Sequence, residues 1–112
     1  MTNEYGEHLD ANGYRESLLE SGGLCWYCRR GGDLARHEAF EGTGRRDKAK
    51  RLGLWVTVCP TCHALCHEHP KSGVALMLKQ FAQKSAMDEY GWSKQRFIAE
   101  FGMSYFMEDE EQ

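Results

Sequence analysis

Four cysteines fall into two Cys-x-x-Cys pairs, Cys25-Trp-Tyr-Cys28 and Cys59-Pro-Thr-Cys62. Two residues between thiols let a single turn aim both sulfurs at one ion. Zinc takes four soft ligands tetrahedrally, at about 2.3 Å. The two pairs together predict a structural Zn²⁺ held by Cys25, Cys28, Cys59 and Cys62. A redox Cys-x-x-Cys would need a βαβ context, which the sequence lacks. The fifth cysteine, Cys66, lies one helical turn after Cys62. It is either a competing ligand or a buried free thiol, and the second reading is preferred.

The histidines suggest a second centre. His63 follows Cys62 directly, and His67 lies four residues on, so both share one helix face. That face is distinct from the one carrying the thiolates. His37 precedes them in a short β-type segment and can meet them there. The expectation is a second, open site for a divalent ion (Mg²⁺, Mn²⁺, Ni²⁺ or Zn²⁺) ligated by His37, His63 and His67. The alternative is a set of unconnected surface histidines.

These chemistries need elements to position them. Residues 1–23 read as a polar arm, irregular apart from a helical turn near 14–19. Residues 34–40 and 54–58 read as strands, the second rich in β-branched and aromatic side chains. Residues 41–50 read as a Gly- and Arg-rich loop. Pro60 suits the first position of a helix, which the spacing carries to about Glu68. Apolar residues near a 3.6-residue period predict a helix over 72–90, ended by Gly91. Ser93 reads as the N-cap of a last short helix, with Trp92 and Phe97 as its hydrophobic staple. Its aromatics read as core. The expected organisation is a metal-bound core at 24–70, a helical extension at 71–106 and an acidic tail at 107–112. No internal repeat is visible.

The chain has 112 residues, 41% of them hydrophobic, and a mean hydropathy of −0.66. A core this small is marginal by itself, and zinc binding supplies folding free energy. No apolar run suits a membrane span. The first ten residues lack a secretory pattern, so a reducing, cytoplasmic setting is expected. The net charge of −3 is unevenly spread. Residues 29–51 carry a net +4, including Arg45, Arg46, Lys48, Lys50 and Arg51, whereas residues 1–28 carry −4. The basic block is either a solvated loop or a phosphate-binding surface.

The run Cys25-x-x-Cys28, then His37, then Cys59-x-x-Cys62-His63-x-x-x-His67 resembles the HNH endonucleases. These are ββα-metal nucleases, in their zinc-stabilised treble-clef form. Residues 34–40 and 53–56 are similar to small HNH-like proteins of phages and prophages, as are the patterns Tyr90-Gly-Trp92 and Phe101-Gly-x-x-Tyr105. The resemblance implies a small α+β fold: a treble-clef ββα-metal core followed by two C-terminal helices. It implies a metal-dependent DNA endonuclease, acting in a bacterial cytoplasm if phage-encoded. His37, His63 and His67 would hold the catalytic ion. The usual general-base histidine is Glu38 here, and the family's middle asparagine has no counterpart in 42–46. With the fold in hand, Arg45, Arg46, Lys48, Lys50 and Arg51 are expected to contact DNA phosphates. Competing expectations are a non-catalytic zinc module that binds nucleic acid, and an adaptor for a host protein.

Overall fold

The computed structural model describes residues 1–106; the acidic tail at 107–112 lies outside the described residues. In chain order the elements are β1 (Ala35–Glu38), α1 (Arg45–Arg51), β2 (Trp55–Val58), α2 (Pro60–Glu68), α3 (Gly73–Tyr90) and α4 (Lys94–Phe101). The protein is a small α+β fold whose β-hairpin is flanked by a Cys cluster and a His cluster. No described helix is long and apolar enough to cross a membrane.

The hairpin sets the geometry of everything that follows. β1 pairs antiparallel with β2, His37 opposite Val56 and Glu38 opposite Trp55. Side chains alternate across a strand. His37 therefore shares the face of buried Val56, and Glu38 shares the opposite face with Arg36, Trp55 and Thr57. α2 packs on α3 and on the hairpin.

The segment expected to be a loop at 41–50 contains α1 instead. Gly44 takes a left-handed φ of 84° at its start, Asp47 sits in its first turn, and Lys48, Lys50 and Arg51 occupy its last. Those charges complement the helix dipole. Asp47 and Arg51 form an i, i+4 ion pair, and Ala49 buries the inner face. The charge density hid a helix that needs only one apolar anchor.

The other helices start and stop where the sequence indicated. Cys59 caps α2, with Pro60 at its first position. Gly91 ends α3 in the left-handed region, at φ 68°. The Ser93 hydroxyl accepts from the Arg96 amide at 3.0 Å, and the Trp92 and Phe97 rings lie 6.5 Å apart. The core is aromatic. Phe40, Phe97 and Phe101 are fully buried, with ring centroids 4.5–5.5 Å apart.

Residues 14–19 form no helical turn; Leu9 and Arg15 make a β-bridge instead. The arm runs along the outer side of the hairpin. The Leu18 amide donates to the Gly53 carbonyl at 2.8 Å, and the Ser17 hydroxyl to the Trp55 carbonyl at 2.6 Å. The Glu20 carboxylate accepts from the amide and hydroxyl of Thr57, at 2.6 and 2.9 Å. A Cβ on Gly53 would sit 2.6 Å from the Glu16 carbonyl, so this approach requires glycine.

Glu7 pins the arm to α3. Its carboxylate accepts from Asn3 at 2.9 Å, Tyr90 at 2.7 Å and Arg15 at 2.9 Å. Arg15 first, then Asn3 and Tyr90, outweigh burial and hold its pKa down at about 2. The folded pKa lies below the unfolded one of about 4.5. The charged form thus stabilises the fold above that pH, and the contribution fades as pH falls from about 5 toward 2. Glu7→Gln is expected to cost on the order of 2 kcal/mol at pH 7. The gap to wild type should narrow below pH 5, as read by urea unfolding in excess zinc. A pH-independent gap would contradict the assignment.

Candidate metal centres

The first centre sits where the Cys25–Cys28 turn meets the β2–α2 junction. The Trp26 amide donates to the Thr57 carbonyl at 2.9 Å, which docks the turn against the end of β2. The Arg29 amide donates back to the Cys25 carbonyl at 3.0 Å, and Arg29 adopts a positive φ of 68° to close the turn. Cys59 enters as the α2 N-cap, where its sulfur accepts from the Cys62 amide at 3.5 Å.

One ligand atom from each of Cys25, Cys28, Cys59 and Cys62 lies within 4.8 Å of the others. The Cys28 and Cys59 sulfurs are 3.6 Å apart. That is far beyond a disulfide of about 2.05 Å. It is close to the edge of about 3.8 Å implied by a zinc tetrahedron with 2.3 Å bonds. Burial pushes the Cys25 thiol up, but amides of Cys59, Cys28 and Tyr27 outweigh it and bring its pKa to about 6. The Cys62 amide lowers Cys59. Burial first, then the three other sulfurs, pushes Cys62 up. Four thiols this close cannot all ionise without a cation among them, which is the condition a Zn²⁺ ion meets.

The second centre lies at the other end of the hairpin–α2 contact. His37, His63 and His67 each place a ring nitrogen within 4.8 Å of the other two. The Nε2 atoms of His63 and His67 are 3.0 Å apart. Two imidazoles on one ion at bonds of 2.0–2.1 Å stand about 2.9–3.4 Å apart. The donor set therefore fits a divalent metal. Burial, followed by the neighbouring His63 and His67, brings the His37 pKa down to about 4. Burial and His67 lower His63 as well. Both shifts favour the neutral imidazole, whose lone pair can ligate. The cluster opens onto a cavity of about 480 Å³, lined also by Glu38, Arg46 and Tyr14.

Glu38 lines the same cavity as the three histidines but reaches it from the opposite face of β1. Strand alternation turns it to the arm's side of the sheet, and it is not among the clustered ligand atoms. One carboxylate oxygen accepts from the Tyr14 hydroxyl at 2.6 Å; the other faces Arg46 at 3.7 Å. Tyr14 is raised to about 12 by burial and then by Glu38, so it stays a donor. Sequence reasoning missed Tyr14, because nothing in the arm signals a partner 24 residues away. It missed buried Lys79 too, which reads as the polar face of α3.

The five basic residues assigned to phosphate contact lie on α1, not on a loop. Arg46 lines the histidine cavity. Lys50 stacks over the Tyr14 ring at 4.8 Å and shares a neighbouring cavity with Arg46. Arg45 extends the other way, over Gly102. Lys48 pairs with Glu100 at 3.0 Å, and Arg51 pairs with Glu4 and Asp47. The last two point away from the histidines into intramolecular pairs. Cys66 is a buried free thiol against Val74, Ala75 and Trp26. It stands outside the four-thiol group.

The chain matches no protein-family model, no curated protein and no solved structure.

Proposed function

We propose that the protein is a metal-dependent endonuclease of the HNH, ββα-metal type, built on a treble-clef zinc site and hydrolysing DNA phosphodiester bonds. The observation that carries this reading is the convergence of His37, His63 and His67 at the junction of hairpin and helix. It stands beside a separate four-thiol cluster that can hold the framework.

A divalent ion bound there would polarise the phosphate and stabilise the leaving oxygen. The chain supplies the rest. Imidazole ligands add no charge of their own, so His37, His63 and His67 would leave the ion's full charge for the substrate. Exposed Arg46, at the cavity wall, offers a guanidinium to the flanking phosphate. Glu38, oriented by Tyr14, takes the proton from the attacking water. In a plasmid-nicking assay the zinc-loaded protein is expected to act only when a second divalent ion is added. Absence of nicking with Mg²⁺, Mn²⁺, Ni²⁺ and added Zn²⁺ alike would overturn the reading.

One observation favours a second reading, a non-catalytic zinc module that binds nucleic acid. Both oxygens of Glu38 already face partners, Tyr14 and Arg46, and a carboxylate so held is a poorer base than a free histidine. That reading expects salt-sensitive DNA binding without strand scission, unaffected by His63→Ala.

A further inference from the structure

A second cavity, of about 420 Å³, opens beside the histidine pocket and shares Glu41 and Pro70 with it. Three cations face it from separate elements: Arg45 at the start of α1, Lys71 in the turn between α2 and α3, and Lys79 on α3. The Lys79 side chain is only 4% exposed. Its ammonium donates to the Pro70 carbonyl and pairs with Glu41 at 2.8 Å. An ammonium has three donors, so one is left for the cavity. Among the described residues, Glu41 is the one acidic residue in the lining. Arg45 and Lys71 are exposed and make no ion pair among the described residues.

The described wall therefore carries two unpaired positive charges above a buried third that Glu41 neutralises. Like charges gathered in a concave surface with low-dielectric walls focus a positive potential, which an anion relieves. Leu76 and Met103 add apolar wall beside the cations, which suits a sugar–phosphate unit better than a bare ion. The shared Glu41–Pro70 wall places such a unit directly next to whatever occupies the histidine pocket.

We propose that this cavity binds a backbone phosphate of a DNA strand whose neighbouring phosphodiester lies at the histidine pocket, with Arg45 and Lys71 as the direct contacts above the Lys79 ammonium. The identity of the strand rests on the nuclease reading; the anion site does not. Binding is tested apart from cleavage, in the zinc-loaded His63→Ala protein, by anisotropy of a labelled 12-base-pair duplex at 50–200 mM KCl. Each lost contact to duplex DNA reduces the slope of log K against log salt by about 0.9. Arg45→Gln with Lys71→Gln is expected to reduce the slope by about 1.8 and to weaken binding on the order of 50-fold near 0.1 M salt. Lys84→Gln, on an exposed site paired with Asp88, should change neither.

An unchanged slope in the double variant would overturn the proposal, even if wild type nicks DNA. A reduced slope supports it, even if wild type nicks nothing. A second arm separates DNA from free phosphate. Inorganic phosphate should compete no better than chloride of equal ionic strength. Saturable phosphate binding that the double variant loses, with its duplex slope intact, would overturn the DNA assignment.

Discussion

Cys59→Ala is expected to leave the chain without a cooperative fold at 25 °C. The four-thiol cluster joins the Cys25–Cys28 turn to the β2–α2 junction, and Cys25, Cys59 and Cys62 are themselves core residues. Structural zinc contributes roughly 10–16 kcal/mol in small zinc domains, against a total stability of about 5–15 kcal/mol for ordinary domains. Loss of one ligand forfeits much of that term. It also removes the sulfur that caps α2 and leaves three crowded thiols behind. The near-UV circular dichroism of the three tryptophans should collapse, and chelator should have the same effect on wild type. Cys66→Ala provides the contrast. That thiol fills a minor cluster outside the metal group, so its removal should cost only about 1 kcal/mol. A cooperative melt in Cys59→Ala within 1 kcal/mol of wild type would show that zinc does not hold the framework.

His63→Ala should leave the fold intact while abolishing the second centre. Its ring supplies the nitrogen 3.0 Å from His67 and stands 5.1 Å, centroid to centroid, from His37. Losing one of three ligands should weaken metal affinity by more than the 10–100-fold typical of outer-shell losses. Nicking should fall by at least about 100-fold. Stability should change little, because the His63 ring is partly exposed and, among the described residues, packs against the rings of His37 and His67. His8→Ala is the matched control. His8 is exposed and lines a separate cavity on the arm's side of the hairpin, so its loss should alter neither binding nor nicking. Equal nicking by wild type and His63→Ala would remove the histidines from the reaction.

Both metal clusters were legible in the sequence because ligand chemistry is local. A Cys-x-x-Cys turn, a proline after a cysteine and an i, i+4 histidine pair each fix geometry over a few residues. The bounds of α2 and α3 were legible for the same reason, from Pro60, Ser72 and Gly91. What stayed hidden is held by long-range polar contacts. The arm adheres through backbone amides and through Glu7 and Glu20, which leave no periodicity. α1 hid behind glycine and charge, its inner face resting on Ala49 alone. The division of labour within the basic block also escaped, since composition cannot tell Arg46, beside the histidines, from Lys48, spent on Glu100. The placement of Glu38 shows a subtler limit. Adjacent residues in a strand face opposite ways, so Glu38, next to His37 in sequence, reaches the shared cavity from the opposite face of the strand and not as a fourth clustered ligand.

The Cys and His clusters make two candidate metal centres in one small chain, one structural and one open. Native mass spectrometry of protein loaded with zinc to saturation counts them directly. Two ions per wild-type chain are expected, the second removed by a mild chelator without unfolding, and a single ion per chain in His63→Ala. One ion per wild-type chain at saturation, or two ions in both proteins, would contradict the account.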